Sequence, residues 1–287
     1  MEHSRCIIQN TYHNHSNYCD GKDSLEAMIQ SAISLGFTSF GFSSHAAVPF
    51  ENPWSIVSME AFDNYIADIN CLQKKYSKDI QLFRGLEADY IPDISYSFEM
   101  FRKRGNLDYI IGGVHLVKNP ENEKLWFIDG AVELFGKGLK EVFQMDYKKA
   151  VTLYFRQINE MIEKENPEII AHFDKIRMNN QNRFFHTDEN WYKKLFMESL
   201  DLIAERNIFL EVNTRGVYKK KCSDFFPESQ ILRVAKEKNI PIIISADAHQ
   251  KAEINAGFEL AVERIKAIGY REIMVLSQDK KWETEAI

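Results

Sequence analysis

The chain has 287 residues, 45% of them hydrophobic, enough for one large domain or two small ones, which excludes an unfolded, charge-dominated polymer. A net charge of −6 argues against a protein whose main partner is the nucleic-acid backbone, and no apolar run reaches the roughly eighteen residues of a membrane span. Cys6, Cys19, Cys71 and Cys222 form no CxxC pair and MEHSRCIIQN shows no secretory pattern, so a cytoplasmic protein with reduced thiols is expected.

In chain order, a short apolar run at Arg5–Gln9 predicts the first strand, followed by TYHNHSNYCDG. There His13 and His15 stand at i and i+2, on one side of an extended segment, with Asp20 close behind. A helix is predicted over Ser24–Leu35, capped by Asp23 or Ser24, then a strand at Ser39–Ser43 and a helix at Met59–Tyr76. Strands follow at Gln81–Leu86 and Tyr109–Val114. The segment Lys118–Met145 breaks the rhythm and reads as an insertion over the top of the fold rather than a second domain, leaving residues 1–287 as one domain. Alternation resumes with a helix at Tyr147–Lys164, where Tyr154, Ile158, Met161 and Ile162 share a face. Strands at Ile169–Ala171, Phe209–Val212, Ile242–Ser245 and Ile273–Leu276 then alternate with helices at Glu189–Glu205, Ser229–Lys238 and Ile254–Ile268. Such alternation predicts a (β/α) barrel. Its rival, a doubly wound sheet, lacks an early GxGxxG.

The metal-capable residues fall on one part of this map. His13 and His15 follow the first strand, His45 the second and Glu87 the third. His115 follows the fourth, His172 follows PEIIA, and Asp247 and His249 follow IPIIISA. Barrel strands all end on one face, so these side chains converge on one bowl. Singly, each has an ordinary explanation: a buried histidine, a solvated strand end, a helix cap. Only His3 and His186 of the eight histidines stand apart, and the shared pattern is what points to metal. Imidazole and carboxylate donors without thiolate suit Zn²⁺, Mn²⁺ or Fe²⁺.

The phrases HNH…D, FSSH, GLEADY, GGVH, AHFD and SADAH resemble, in order, the motifs of the polymerase-and-histidinol-phosphatase (PHP) superfamily. SSHAAVPF, GLEADYIP, EVNTRG and SADAHQ are similar to its histidinol-phosphate phosphatase branch, and the resemblance spans about Arg5 to Phe258. It implies a distorted (β/α)7 TIM-like barrel with two to three divalent transition-metal ions at the C-terminal ends of the strands. On this resemblance His13, His15, Glu87 and Asp247 hold the first ion. Glu87, His115 and His172 hold the second, and Asp20, His45 and His249 the third. Glu87, Asp247 and His249 carry catalysis, with a hydroxide bridging two ions as nucleophile.

Arg177, in HFDKIR, and Arg215, in NTRG, follow strand ends closely enough to bind substrate phosphate; the ordinary alternative for each is a structural ion pair. Phe50, Trp54, Trp126 and Phe127 lie on rim loops, where aromatic residues either pack on one another or wall the pocket. The expected activity is hydrolysis of the small substrate L-histidinol phosphate in histidine biosynthesis, with no nucleic-acid or membrane partner. Alternatives are a PHP phosphoesterase for phosphotyrosine or a nucleotide, and a metal-binding protein without catalysis.

Overall fold

The computed structural model describes residues 8–287. Its strands in chain order begin with β1 (Asn10–Thr11), β2 (Ser39–Phe42), β3 (Gln81–Asp89) and β4 (Tyr109–Gly113). Then come β5 (Leu116–Lys118), β6 (Leu125–Phe127), β7 (Ile169–Ile170), β8 (Phe209–Asn213), β9 (Ile242–Ser245), β10 (Glu272–Leu276) and β11 (Trp282–Ala286). Seven of them pair in parallel in the order β1-β2-β3-β4-β7-β8-β9. A bridge from Asn14 to Ala248 closes the ring, with His15 N–H donating to the Ala248 carbonyl at 2.8 Å. The predicted α/β barrel of seven strands is what forms. Most of the predicted first strand, Arg5–Gln9, and with it Cys6, lies outside the described residues.

Alternation along the strands explains how the barrel becomes a site. Side chains two apart face the same way, so on β3 Phe83, Gly85, Glu87 and Asp89 form one inward column. On β4 and just beyond it the column is Tyr109, Ile111, Gly113 and His115; on β8 it is Phe209, Glu211 and Asn213. Each column starts apolar. Tyr12, Phe83, Tyr109, Ile111, Ile169, Ala171 and Ile243 make a buried cluster inside the lower barrel, and the polar groups sit above it. Gly85 is required here: a Cβ would lie 2.3 Å from the Tyr109 ring. Tyr109 uses that space to bring its hydroxyl to 2.5 Å from the Tyr12 carbonyl.

The run Ile273–Leu276 forms a strand but does not join the barrel. It pairs antiparallel with β11. Leu276 N–H donates to the Tyr12 hydroxyl at 2.8 Å, and Trp282 meets Tyr12, Tyr109 and Phe209 edge-on. Tyr109 and Phe209 begin their strands, so this hairpin plugs the barrel at the end opposite the bowl.

Helices cover the outside. Ser24, rather than Asp23, caps Leu25–Ser34 by accepting from Ala27 N–H, and Met59–Lys75 and Tyr147–Glu165 fall where periodicity puts them. The last helix starts at Phe258, four residues later than predicted, because Gly257 takes a left-handed φ of 80° after the 3-10 turn Lys251–Glu253. The helix Phe98–Gly105 has no counterpart in the sequence reading. Segment 118–145 holds β6 and the helix Val132–Phe143. Its β6 pairs with β5, and Trp126 is buried against Phe135 and Phe143. Ile128 N–H donates to the His115 carbonyl at 3.0 Å, which pins this segment to the top of the barrel. Among the described residues no helix is long and apolar enough to cross a membrane.

Candidate metal centre

Glu87 is the hub of the bowl. It begins the polar part of the β3 column and is 1% exposed. Its Oε2 lies 3.0 Å from His13 Nε2, 3.3 Å from His15 Nε2 and 3.2 Å from His45 Nδ1. Its Oε1 lies 2.8 Å from His172 Nε2 and 3.5 Å from His115 Nε2. One carboxylate thus presents each oxygen to a different histidine group. Asp247 Oδ1 completes the first group, 3.3 Å from His15 Nε2 and 3.8 Å from His13 Nε2. At the rim Asp20 Oδ1 stands 3.3 Å from His249 Nε2 and 3.9 Å from His45 Nε2. All nine residues singled out as ligands therefore meet in one bowl. Two details differ from the expected sets: His15 also belongs to the rim group, because its Nδ1 lies 3.9 Å from Asp20 Oδ1, and His45 also groups with Glu87 and His115.

The donor chemistry fits cations. His13 Nε2, His15 Nε2 and His45 Nδ1 are buried without a hydrogen-bond partner, an arrangement that costs about 1–3 kcal/mol per group unless something else binds there. Burial alone pushes the His13 pKa down, but Glu211, Glu87 and Asp247 pull it up to about 10. A metal ion would take the place of that proton. His45 is pushed down to about 4, chiefly by burial, and so offers a neutral ring. Backbone strain gathers at the same place: His172 has φ 24° and Asp247 φ 51°. Gly113 leaves room for the first of them, since a Cβ there would lie 3.3 Å from the His172 ring.

A second ring of residues orients these imidazoles. His13 Nδ1 is 2.5 Å from Glu211 Oε1, His115 Nδ1 is 2.7 Å from Asp89 Oδ1, and His249 Nδ1 is 3.0 Å from the Asp247 carbonyl. A proton held on Nδ1 leaves Nε2 with its lone pair facing the bowl. Glu211 also accepts from His172 N–H at 2.7 Å and from Asn213 Nδ2 at 3.0 Å. His15 has the softest partner, Cys19 Sγ at 3.4 Å. Sequence reasoning missed Glu211 and Asp89. Their signals were present: a carboxylate inside the apolar run IFLEVN, and an aspartate two residues after Glu87 on the same face.

The two arginines part company. Arg215 lines the bowl, a cavity of about 200 Å³ shared with Glu87, His115, Asp247 and His249. Its Nη1 donates to the Asp247 carbonyl at 2.6 Å and to Glu253 Oε2 at 3.3 Å. Arg177 does not line it. Its Nε donates to Asp174 Oδ2 at 2.7 Å, its Nη2 to the carbonyls of Asp224 and Phe225, and its guanidinium lies over the Phe226 ring. The structure does not bring Arg177, expected to bind phosphate, to the bowl: at the 3-10 turn Lys175–Arg177 it is Lys175 that lines the cavity. Lys175 Nζ stands 3.3 Å from His115 Nε2 and 2.7 Å from Asp129 Oδ2. A larger cavity, about 640 Å³, borders Arg177 and contains none of the nine candidate ligands.

A sequence profile of the PHP domain matches residues 11–215. The chain belongs to the PHP domain family. Among its relatives, the histidinol-phosphatase of Bacillus subtilis is 25% identical over 88% of this chain and 97% of its own length. A Deinococcus radiodurans protein named probable histidinol-phosphatase is 26% identical over 85% of this chain and 87% of its own. In fold, the chain matches the Lactococcus lactis histidinol phosphate phosphatase solved with Zn, L-histidinol and phosphate. The TM-score is 0.66 at 19% identity, covering 96% of this chain and 98% of that one. A Listeria monocytogenes structure assigned to the same activity gives a TM-score of 0.77 at 22% identity over 88% of this chain and 99% of that one.

Proposed function

We propose that this PHP protein is a metal-dependent phosphomonoesterase that converts L-histidinol phosphate to L-histidinol and phosphate. The observation that carries the reading is the hub geometry of Glu87, with one oxygen facing each of two histidine groups. Residues 1–287 are read as one PHP-type barrel, with the insertion at 118–145 forming part of the pocket wall.

His13, His15, Glu87 and Asp247 would hold one divalent ion, Glu87, His115 and His172 a second, and Asp20, His45 and His249 a third. Zn, Mn and Fe all suit these donors. Ions bound there lower the pKa of a water molecule and draw charge from phosphoryl oxygens. The chain's own residues do the rest. Glu211 and Asp89 fix the tautomers of His13 and His115. Arg215 and Lys175 bring two positive charges to the bowl, where they hold the non-bridging oxygens of a phosphate dianion. The cavity, about 200 Å³, admits a small molecule.

Phosphate release by metal-replete protein tests this. L-histidinol phosphate should give a kcat/KM at least about a hundredfold above phosphotyrosine and a nucleoside 3′-monophosphate, a difference of roughly 2.7 kcal/mol. Higher turnover of phosphotyrosine or of the nucleotide would transfer the assignment to that substrate. No release from any ester would leave a non-catalytic metal protein.

A further inference from the structure

Arg215 and Lys175, cations suited to phosphate, line the cavity. Two loops distant in sequence also reach it, bringing Trp54, from the segment after β2, and Phe127 and Asp129, from the insertion. Trp54 and Phe127 stack with ring centres 5.3 Å apart and planes 14° from parallel. The stack settles the open question about the aromatic rim: these two rings both pack together and line the cavity, whereas Trp126 is buried against Phe135 and Phe143. Asp129, two residues after Phe127, lines the same cavity. Its Oδ2 pairs with Lys175 Nζ at 2.7 Å, and the neighbouring lysine holds its half-buried carboxyl below the usual carboxylate range.

We infer that Asp129, with the Trp54–Phe127 stack, forms a subsite for the positively charged end of the substrate and makes the enzyme select phosphomonoesters whose alcohol carries an amine or a protonated ring. This rests on the phosphatase reading above. A carboxylate beside an aromatic face is a complementary surface for a compact organic cation: the carboxylate accepts its N–H bonds, and the ring quadrupole attracts its charge. The other carboxylates of the cavity, Glu87, Asp247 and Asp20, face histidines. Asp129 faces only Lys175 among the described ion pairs. When a phosphate draws Lys175 toward its oxygens, Asp129 gains a free charge beside the part of the substrate that projects from the phosphate. Selection then depends on both ends of the substrate: the phosphate engages the lysine, and that frees the carboxylate for the cation.

The test compares wild type with Asp129→Asn and Trp54→Leu on two pairs of esters: L-histidinol phosphate against p-nitrophenyl phosphate, and O-phosphoethanolamine against ethyl phosphate. Metal content and thermal midpoint are checked for each variant. The inference predicts that wild type prefers the cationic ester in both pairs. Asp129→Asn should lower kcat/KM for cationic esters about tenfold or more, mainly through KM, and leave the neutral ones within about threefold. Trp54→Leu should reduce the same preference without touching the ion pair to Lys175. If wild type hydrolyses the esters without preferring cations, the histidinol phosphate reading itself fails. If wild type has the preference and Asp129→Asn keeps it, or lowers all four esters equally, Asp129 serves only to place Lys175 and the subsite is overturned.

Discussion

Glu87→Gln is expected to abolish turnover, lowering kcat by about 10³-fold or more while the barrel stays folded. The substitution keeps the side chain's shape and removes one charge and one oxygen acceptor. Both lost features matter at this position, because Oε1 and Oε2 each face a separate histidine group within 3.5 Å. Stabilisation of several kcal/mol by bound cations disappears when a shared ligand goes, and each 1.36 kcal/mol is about a factor of ten. Metal analysis of the variant should show at least one ion fewer per chain than wild type. Asp20→Asn should cost less. Asp20 sits at the rim with its side chain 34% exposed and touches only the outer group. Steady-state kinetics on the two variants, with metal content measured in parallel, decide the order. A Glu87→Gln enzyme within tenfold of wild type and with a full metal complement would remove Glu87 from its place as the shared ligand.

The second large effect is on stability. Arg177→Ala should destabilise the protein by about 3–5 kcal/mol, since it leaves Asp174 buried without its cation, so that the carboxyl must either stay charged at high cost or take up a proton. Asp174 is fully buried, and burial pushes its pKa up to about 6 even beside Arg177. Its Oδ2 also accepts from Glu228 N–H at 3.0 Å, so the pair ties the turn after β7 to the chain before the helix Ser229–Glu237. Denaturant midpoints should show the loss, while kcat/KM of the folded fraction stays within about threefold of the parent. Arg215→Ala should give the mirror image: a smaller stability change and a fall in kcat/KM of about 10- to 150-fold, from one charge-assisted phosphate contact. Its bond to the Asp247 carbonyl makes a metal assay part of that experiment. Equal stability in the two variants would contradict the division of labour drawn between these arginines.

That division also shows where sequence reading stops. The candidate ligands were legible because a barrel turns six separate strand ends into one face. The histidines and carboxylates after the strands needed only the knowledge that strand ends converge. Lys175 and Arg177 lie two residues apart in the same turn, and no periodicity tells which one faces the bowl. That depends on Asp174, Asp224 and Phe225 capturing the arginine from the far side. Ile273–Leu276 reads as a barrel strand because it is apolar and follows a helix. Its fate was set by Trp282 and the Tyr12 hydroxyl, which draw the hairpin beneath the barrel. Segment 118–145 was recognised as an interruption. Its contribution of Phe127 and Asp129 to the cavity depends on the tie between Ile128 and the His115 carbonyl, a contact between chain segments that composition does not encode.

The central claim is that these strand-end side chains hold the ions on which phosphomonoester hydrolysis depends. It is tested most directly by stripping the protein with chelator and titrating Zn²⁺, Mn²⁺ or Fe²⁺ back while following phosphate release from L-histidinol phosphate and the number of ions bound. The account predicts no turnover in the stripped protein, then activity that rises with added ion and levels off at two to three ions per chain, a count that follows from the three donor groups. Full activity in metal-free protein, or saturation at a single ion, would contradict it.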